Sequence, residues 1–598
     1  MKNHCRVCIT ATEPIVLLEN SLSQTTDSVL LFRKPVGSII VRHYDRIPAA
    51  FEKIEQTLQA GKFLAGYFSY EAGYYFENRF SRSKPITPLI ELYIFDRGIQ
   101  CAPADIFYTP AAAGSSVVLN PPIYDTTYEA YTKNIIKIKK YIRAGETYQI
   151  NFTFRSTFET AISAVEMYQY LRQRQPSAYS AFIRTKERAV ISCSPELFFK
   201  QENSTITVKP MKGTAARGRY SSEDTSIAAQ LYHDEKSRAE NLMIVDLLRN
   251  DLGRVCETGS VSVQKLFDIE RYPTLFQMTS TITGKRKPNS TWFDIFRALF
   301  PCGSVTGAPK VRAMEIIQEL ESSPRGIYTG AIGYFAPNGN AQFNVAIRTI
   351  ELNAQHGSMG IGSGIIWDSA IQSEYDECLL KGTFLNKTIP NFNIRESLLW
   401  NNDYTLLHYH RERMHNSAEY FNYPFHEELF SDCLQQAAQQ CTIGTKYKIT
   451  IDLNTAGVFS SICEEIKPPL PEHTARIHIA DIQTHSSDIF LYHKTTNRRQ
   501  YNELLQRYMA EGYFDVLFSN ERDEITEGAR SNIFIQKGNN LLTPPIDCGL
   551  LAGTYRRYIL ENNPDAREAV IHRDDVYAAD VIYVCNAVRG MTRVQIDR

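Results

Sequence analysis

Glu374 and Glu377 stand three apart in SEYDE, inside a stretch, QSEYDECLLKGTFL, that reads as a helix. On a helix that spacing puts both carboxylates on one face. Two carboxylates so placed repel each other unless one stays protonated or a cation lies between them. Mg2+ suits such a site, because it keeps waters and takes one or two protein carboxylates plus an anionic substrate. A solvated acidic face is the alternative that the pair alone leaves open. Anion-binding candidates accompany the pair. GIGSGI (360–365) can bring backbone N–H groups, at Gly362 and Gly364 among others, close to a carboxylate or phosphate, although glycine triplets also make plain tight turns. GSVTGAPK adds Thr306, Gly307 and Lys310, and the fork of Arg348 grips a carboxylate at two points. Together these residues point to a small polyanionic substrate bound with magnesium.

A second constellation lies further on. Lys494 sits in YHKTTNRRQY, Arg413 in HYHRERMHNSAEYF and Glu527 in EITEGARSNIFI. LLAGTYRRYIL places Gly553 and Thr554 at the N-terminus of an expected helix, a ready anion site. Taken singly, each of these residues is ordinary surface chemistry.

The elements that must carry these groups divide near 386–393, NKTIPNFN, a short polar stretch with a proline. Two domains are expected, 1–387 and 390–598. In the first, FNVAIRT (343–349) alternates as a strand, with Phe343, Val345 and Ile347 facing one way and Arg348 the other. Residues 234–254 read as a helix with an acidic start and a buried stripe of Leu242, Val245, Leu248 and Leu252. After the boundary, IRESLLWNNDYTLLHYHRERM reads as strand, turn, strand, then helix. Strands and helices do not alternate regularly, so an α+β class is expected rather than a doubly wound sheet.

Bulk properties exclude several functions. The chain has 598 residues, 43% hydrophobic and 22% charged, with a formal net charge of −1. That length asks for more than one core. The balanced charge gives no reason to expect nucleic acid or an anionic membrane as partner. The opening MKNHCRVCITATEP lacks the apolar core of a signal peptide, and no apolar run approaches the ~20 residues of a membrane span, so a cytoplasmic protein is expected. Twelve cysteines are thinly spread. The Cys5-x-x-Cys8 pair has no second pair at zinc spacing, and Cys302 has no evident activating histidine, so reduced thiols without a metal are expected.

The ordered blocks AGETYQINF (144–152), SPELFF (194–199), KPMKGTAARG (209–218), AENLMIVDLLRNDLGRV (239–255), YPTLFQMTSTITG (272–284), GSVTGAPK (303–310), YTGAIGY (328–334), FNVAIRT and GIGSGI resemble the chorismate-utilising enzymes, which include anthranilate synthase, isochorismate synthase and aminodeoxychorismate synthase component I. The resemblance covers nearly all of residues 60–385. It implies an anthranilate synthase component I-like α/β sandwich that binds chorismate, with Mg2+ held by Glu240 and Glu377 and Glu374 close by. It implies that Arg348, Tyr328 and the Gly362–Gly364 backbone hold the enolpyruvyl carboxylate, and that Glu196 is the general acid for the departing ring hydroxyl. Ser237 stands where relatives often carry a further acid. Gln149 stands where water-adding relatives carry a lysine base, and glutamine cannot deprotonate water. Lys212, in PMKGT, matches aminodeoxychorismate synthases, whereas anthranilate synthases resemble P-I-A-G-T there. A lysine amine can attack the ring, expel the C4 hydroxyl and be displaced by ammonia, or more simply pair a substrate carboxylate. VLLENS (16–21) resembles the tryptophan pocket of anthranilate synthases and is read as structural. No glutaminase motif is present, so ammonia is expected from solution or from a separate glutamine amidotransferase subunit.

The second set, with LLTPPIDCGLLAG (541–553) and NAVRG (586–590), resembles the fold-type IV pyridoxal 5'-phosphate (PLP) enzymes, which include class IV aminotransferases and aminodeoxychorismate lyase. It implies Lys494 in a Schiff base with PLP and Glu527 on the pyridine nitrogen. Arg413 and the amides near Thr554 and Val588 would be on the phosphate. Relatives begin with a longer stretch before F-x-x-x-E-S/T, whereas this domain starts almost at Phe392. Part of the small subdomain is therefore expected to be shortened or supplied by the first domain. The joint expectation is an enzyme that aminates chorismate to 4-amino-4-deoxychorismate and then eliminates pyruvate to give 4-aminobenzoate, possessing a dimer interface in its C-terminal half. The alternatives are an anthranilate-type synthase fused to an aminotransferase, or a PLP domain with a structural role.

Overall fold

The computed structural model describes the chain apart from residues 1–6, 10–12, 24, 26, 83, 109–120, 186, 273–274, 383–389, 467–474 and 598. Cys5 lies outside the described residues. The chain forms two compact units, residues 1–215 with 230–388 and residues 216–229 with 389–598. The second unit begins at residue 389 and also takes in residues 216–229.

The first unit is built on two ten-stranded sheets. One runs through Gln149–Glu159, His356–Ile365, Thr349–Asn353, Ala189–Ser194, Tyr179–Arg184 and Ile15–Glu19. The other runs through Met211–Ala216, Leu275–Lys285, Thr205–Lys209, Leu197–Glu202, Ala341–Val345, Ala331–Phe335 and Phe63–Phe68. Val16, Ala181, Ile183 and Val190 of the first sheet share one apolar cluster with Ala65, Tyr67 and Ile332 of the second. The alternate residues Ile15, Leu17, Phe182 and Ile191 belong to another cluster, with helical side chains. The period-two pattern thus buries both faces of the sheets, which gives a sandwich with helices outside.

Phe296, on the helix Trp292–Leu299, anchors the second cluster. Its ring lies 4.2 Å from that of Phe68, 5.5 Å from Phe51, 5.6 Å from Phe343 and 5.7 Å from Phe199.

Three local expectations change. The strand expected over 343–349 ends at Val345, and Arg348 follows in a left-handed backbone conformation, φ 49°. The helix Glu235–Val255, started by Asp234 accepting from the Ser237 amide at 2.7 Å, buries Asn241, Ile244, Val245, Leu248 and Leu252. Leu242 is 44% exposed, because polar Asn241 takes the inward position. After Ile394–Trp400 the chain makes a turn and goes straight into the helix Leu407–Phe421, without the second strand.

In the second unit a three-stranded sheet, Ile394–Trp400, Tyr447–Leu453 and Phe459–Glu465, packs with the helices Leu407–Phe421 and Glu427–Ala438. An eight-stranded sheet of mixed direction forms the other part, with Asp515–Asn520 and Arg476–Thr484 parallel near its start. No helix of the described residues is long and apolar enough to cross a membrane.

Phe296→Ala should destabilise the first unit by about 3–5 kcal/mol in urea unfolding, the cost of an aromatic cavity. Leu242→Ala should stay within ~0.5 kcal/mol. Equal losses would show that the helix faces the core as its leucines alone suggest.

Candidate active sites

In the first unit Lys212 rises from the strand Met211–Ala216, and Glu196 sits in the junction between Ala189–Ser194 and Leu197–Glu202. The Glu196 amide donates to Ser194 Oγ at 3.2 Å and its carbonyl accepts from the Val345 amide at 3.0 Å. Ser304 Oγ donates to Glu196 Oε1 at 2.5 Å. Burial pushes the Glu196 carboxyl up to about 7, against the Ser304 hydroxyl and the Lys212 amine, which both favour its charged form. Lys212 is half-buried, and burial lowers its amine from the ordinary lysine value, while Glu240, Glu196 and Glu377 oppose that shift. The two groups therefore act on each other directly.

The glycine run is a strand, not a loop. His356–Ile365 pairs antiparallel with Gln149–Glu159 along its length. Thr349–Asn353 pairs with it only as far as Met359. A Cβ at Gly364 would stand 2.4 Å from Gln149 Nε2 and 3.4 Å from Lys212 Nζ, so the missing side chain makes room for both. A Cβ at Gly360 would strike the Tyr328 ring at 2.1 Å, and one at Gly362 the Phe152 carbonyl at 2.5 Å. Both polar atoms of the Gln149 side chain are buried without a partner. The Arg348 guanidinium makes no hydrogen bond or ion pair among the described residues, and burial lowers its pKa. A buried orphan amide and an unpaired guanidinium on a strained backbone are the features of a site built for a polar anion.

Glu240 lies on the helix Glu235–Val255, and Glu374 and Glu377 on the helix Ile371–Gly382. Burial raises Glu240, Lys212 opposes, and the Glu374 and Glu377 carboxylates add to the rise, so the three acids share one region. Among the described residues no three acidic, histidine or cysteine side chains close into a tight cage. Lys381 Nζ pairs with Glu377 at 2.7 Å and donates to the Gly362 carbonyl at 3.0 Å. This open, carboxylate-only donor set fits a magnesium that takes one or two carboxylates and completes its shell with water and substrate.

Three expected contacts lie elsewhere. Lys310 Nζ donates to Asp251 at 2.7 Å and to the carbonyls of Ala298 and Leu299, both at 3.1 Å. It is a buried ion pair that also caps the end of the helix Trp292–Leu299. Thr306 Oγ1 donates to the Cys302 carbonyl, and Gly307, at φ 145°, presses against the Gln149 carbonyl, where a Cβ would come within 2.2 Å. GSVTGAPK thus shapes the wall of the site, and Ser304 is the member that reaches Glu196. Cys302 is buried, its thiol pushed up to about 12 by burial and lying 3.2 Å from Ser304 Oγ. Glu19 of VLLENS is buried against Tyr168 and Arg172.

In the second unit Lys494 is half-buried, and burial pushes its amine down to about 7, helped by Arg498 and Arg413. Burial pushes Glu527 up to about 7, with Arg498 opposing. Glu527 Oε2 accepts from the Leu551 amide at 3.2 Å and from Asn532 Nδ2 at 3.4 Å. Tyr501 Oη is buried without a partner, and the Glu527 charge acts on it. The helix Thr554–Asn562 starts at Gly553 with no side-chain cap, and a Cβ at Gly553 would fall 1.8 Å from Asn532 Oδ1. Its first amides are therefore free of a cap. Arg413 grips Glu396 twice, at 2.8 Å each, and donates to the Ala552 carbonyl at 3.0 Å. His410 bonds Glu396 at 2.6 Å and Thr554 Oγ1 at 3.3 Å. The Val588 amide is taken by Asn586 Oδ1 at 3.1 Å. A half-buried amine, a buried carboxyl, an orphan phenol and an uncapped helix start fit pyridoxal phosphate.

The sequence motifs do not single out Ser304, Lys381, Glu396, His410 or Arg498. Lys381 stands four residues after Glu377, a helical ion-pair spacing that could have marked it. Ser304, Glu396 and His410 carry no spacing signal, because their partners are distant in sequence.

A chorismate binding enzyme family model matches residues 23–387, and an amino-transferase class IV model matches residues 394–596. A probable aminodeoxychorismate synthase, chloroplastic, from Oryza sativa subsp. japonica is 43% identical over 279 residues, 46% of this chain and 31% of that one. Anthranilate synthase component 1 from Acetivibrio thermocellus is 40% identical over 261 residues, 44% of this chain and 53% of that one. The chain thus spans about a third to a half of these relatives. The crystal structure of anthranilate synthase component I from Streptococcus pneumoniae TIGR4 superposes with a TM-score of 0.53 at 26% identity, covering 60% of this chain and 92% of that one.

Lys310→Met should cost the first unit about 3–5 kcal/mol in denaturant unfolding, because it strands buried Asp251. A raised KM for the acceptor substrate with unchanged unfolding would instead make Lys310 a substrate ligand.

Proposed function

The chain belongs to the chorismate binding enzyme family, and from that premise we propose that it performs two consecutive steps: amination of chorismate to 4-amino-4-deoxychorismate, then loss of pyruvate to give 4-aminobenzoate. The carrying observation is the mutual electrostatic influence of a half-buried amine, Lys212, and a buried carboxyl, Glu196, with Gly364 leaving room for Lys212 and Gln149. Glu196, whose carboxyl burial pushes up to about 7, donates its proton to the departing C4 hydroxyl. Lys212 attacks the ring as that hydroxyl leaves, and ammonia then displaces it at C4. Arg348 holds a carboxylate of the substrate in its fork. Glu240 and Glu377 would hold magnesium, which when bound neutralises the ring carboxylate. Gln149 offers hydrogen bonds but no base, so water is not activated at that position.

In the second unit pyridoxal phosphate, when bound, supplies an electron sink. Lys494 would anchor it, and its amine would be the group that takes the C4 proton of the aminated ring and returns a proton to the departing enolpyruvyl carbon. Glu527 would keep the pyridine nitrogen protonated, and the first amides of Thr554–Asn562 with Arg413 would hold the phosphate end. The ring becomes aromatic as pyruvate leaves, which drives the step. Ammonia comes from solution or from a separate amidotransferase subunit, and a homodimer through the second unit accords with the class. The protein acts in the cytoplasm.

The relatives named anthranilate synthase favour a second reading, amination at the neighbouring ring carbon to give anthranilate. Lys212 speaks against it. With chorismate, Mg2+ and ammonium the protein should yield 4-aminobenzoate and pyruvate in equal amounts, whereas anthranilate would overturn the proposal. Lys494→Ala should accumulate the aminated intermediate, and Lys212→Ala should abolish amination while sparing the lyase step.

The acid role of Glu196 has its own signature. Its pKa near 7 is raised over that of a free carboxyl, so amination should fall as pH climbs through about 7. Ser304→Ala removes a bond that favours the charged form, so the limb should move to higher pH by about one unit. A limb that stays put or moves to lower pH would remove Ser304 from control of this acid.

A further inference from the structure

Lys494 is held from two sides. Its own carbonyl accepts from the Arg395 amide at 2.8 Å, and the Thr496 amide donates to the Asn393 carbonyl at 2.9 Å. These contacts tie the lysine to the strand Ile394–Trp400 and its lead-in. The two residues before it are held by something else, the segment 216–229, which belongs to the second unit although it is distant from it in sequence.

His493 is 5% exposed. Its Nε2 faces the Arg219 carbonyl at 3.1 Å, and its Nδ1 faces Ser417 Oγ at 3.0 Å. A carbonyl only accepts, so Nε2 carries the proton and Nδ1 accepts from the serine hydroxyl. One neutral tautomer is thereby fixed, and burial, which lowers the imidazole to about 4, keeps it neutral. The ring lies 4.3 Å from that of Tyr420 and 4.8 Å from that of Phe421. Tyr420 Oη in turn donates to the Gly218 carbonyl at 2.7 Å. Tyr492 is gripped as well: Arg219 Nη1 donates to its hydroxyl at 2.8 Å, and the Tyr220 ring stacks on it at 5.2 Å. Arg219 is itself steadied by Glu223, at 2.8 Å, and by the Ser486 carbonyl, at 3.2 Å.

We propose that residues 217–220 form a strap that positions Lys494, acting through the bond from the Arg219 carbonyl to His493 and the grip of Arg219 and Tyr220 on Tyr492. The strap is part of the second site rather than a linker. It continues directly from the strand that carries Lys212. His493, Arg219 and Tyr220 are positioning residues, because none of them needs to touch the cofactor. The charged groups facing the Lys494 amine itself are Arg498, Arg413, Glu396 and Glu527. A shift in the amine's placement changes its distance to each of them.

The inference rests on the reading of Lys494 as the cofactor's anchor, and the test separates the two. Full-length wild type, Arg219→Ala, Arg219→Lys, His493→Phe and His493→Gln are titrated with pyridoxal phosphate, and the visible absorbance of the bound cofactor is followed against pH. Wild type should bind and show one pH midpoint. Arg219→Ala and His493→Phe should bind about fivefold more weakly, as expected for a lost buried hydrogen bond. Their midpoint should move by about half a pH unit or more, and Arg219→Lys should recover part of both changes. Wild-type affinity and midpoint in His493→Phe and Arg219→Ala would overturn the strap. So would a loss of thermal stability with an unmoved midpoint, which marks a purely structural segment. Should Arg219→Ala fail to fold, His493→Gln carries the same comparison. If wild type and Lys494→Ala bind the cofactor with identical spectra, the anchor reading fails instead, whatever the strap variants do.

Discussion

An amine half-buried in protein loses part of the hydration that keeps it charged, and this constraint shapes both halves of the chain. Burial lowers Lys212 and brings Lys494 down to about 7. Beside each amine lies a carboxyl moved the opposite way, Glu196 and Glu527, each pushed up to about 7. In water the two kinds of group differ by some six pH units; here their proton affinities approach each other. Between Lys494 and Glu527, both brought to about 7, a proton then moves at small cost. The sheet sandwich and the class IV aminotransferase-like unit thus share the same directions of shift, an amine lowered and a carboxyl raised.

Burying an amine even in part requires backbone to come close, and the glycines provide for that. Gly364 leaves the space that Gln149 and Lys212 fill, and Gly553 yields to the Asn532 side chain at the uncapped start of Thr554–Asn562. The polar groups that complete each site are buried and bonded among themselves. Ser304 holds Glu196, and Glu396 joins His410 to Arg413. Breaking such a network strands a buried charge, so these residues fix geometry as firmly as the apolar core does.

The motifs made the α+β class legible and pointed to both lysines and their carboxyls, because local spacing and collinear blocks record them. What escaped was set by contacts remote in sequence. Lys310 looked like an anion ligand in a glycine-rich stretch, yet Asp251 on another helix claims it. Leu242 looked buried from its period, but Asn241 turns inward to accept from Ser280 at 2.6 Å. Arg348 seemed to project from a regular strand, whereas a left-handed residue aims it. The shortened start of the second domain hinted that backbone is borrowed from the first. That residues 216–229 group with the second unit could not be read, since neither a repeat nor a composition change marks them.

The central claim is that the Lys212 amine bonds to the ring before ammonia does. Protein mixed with chorismate and Mg2+ but no ammonium, quenched with acid within a turnover, digested and analysed by peptide mass spectrometry, tests it directly. The account predicts an adduct of chorismate less one water on the peptide containing Lys212, discharged when ammonium is added before the quench. An unmodified peptide from protein that goes on to aminate chorismate at its full rate would contradict it.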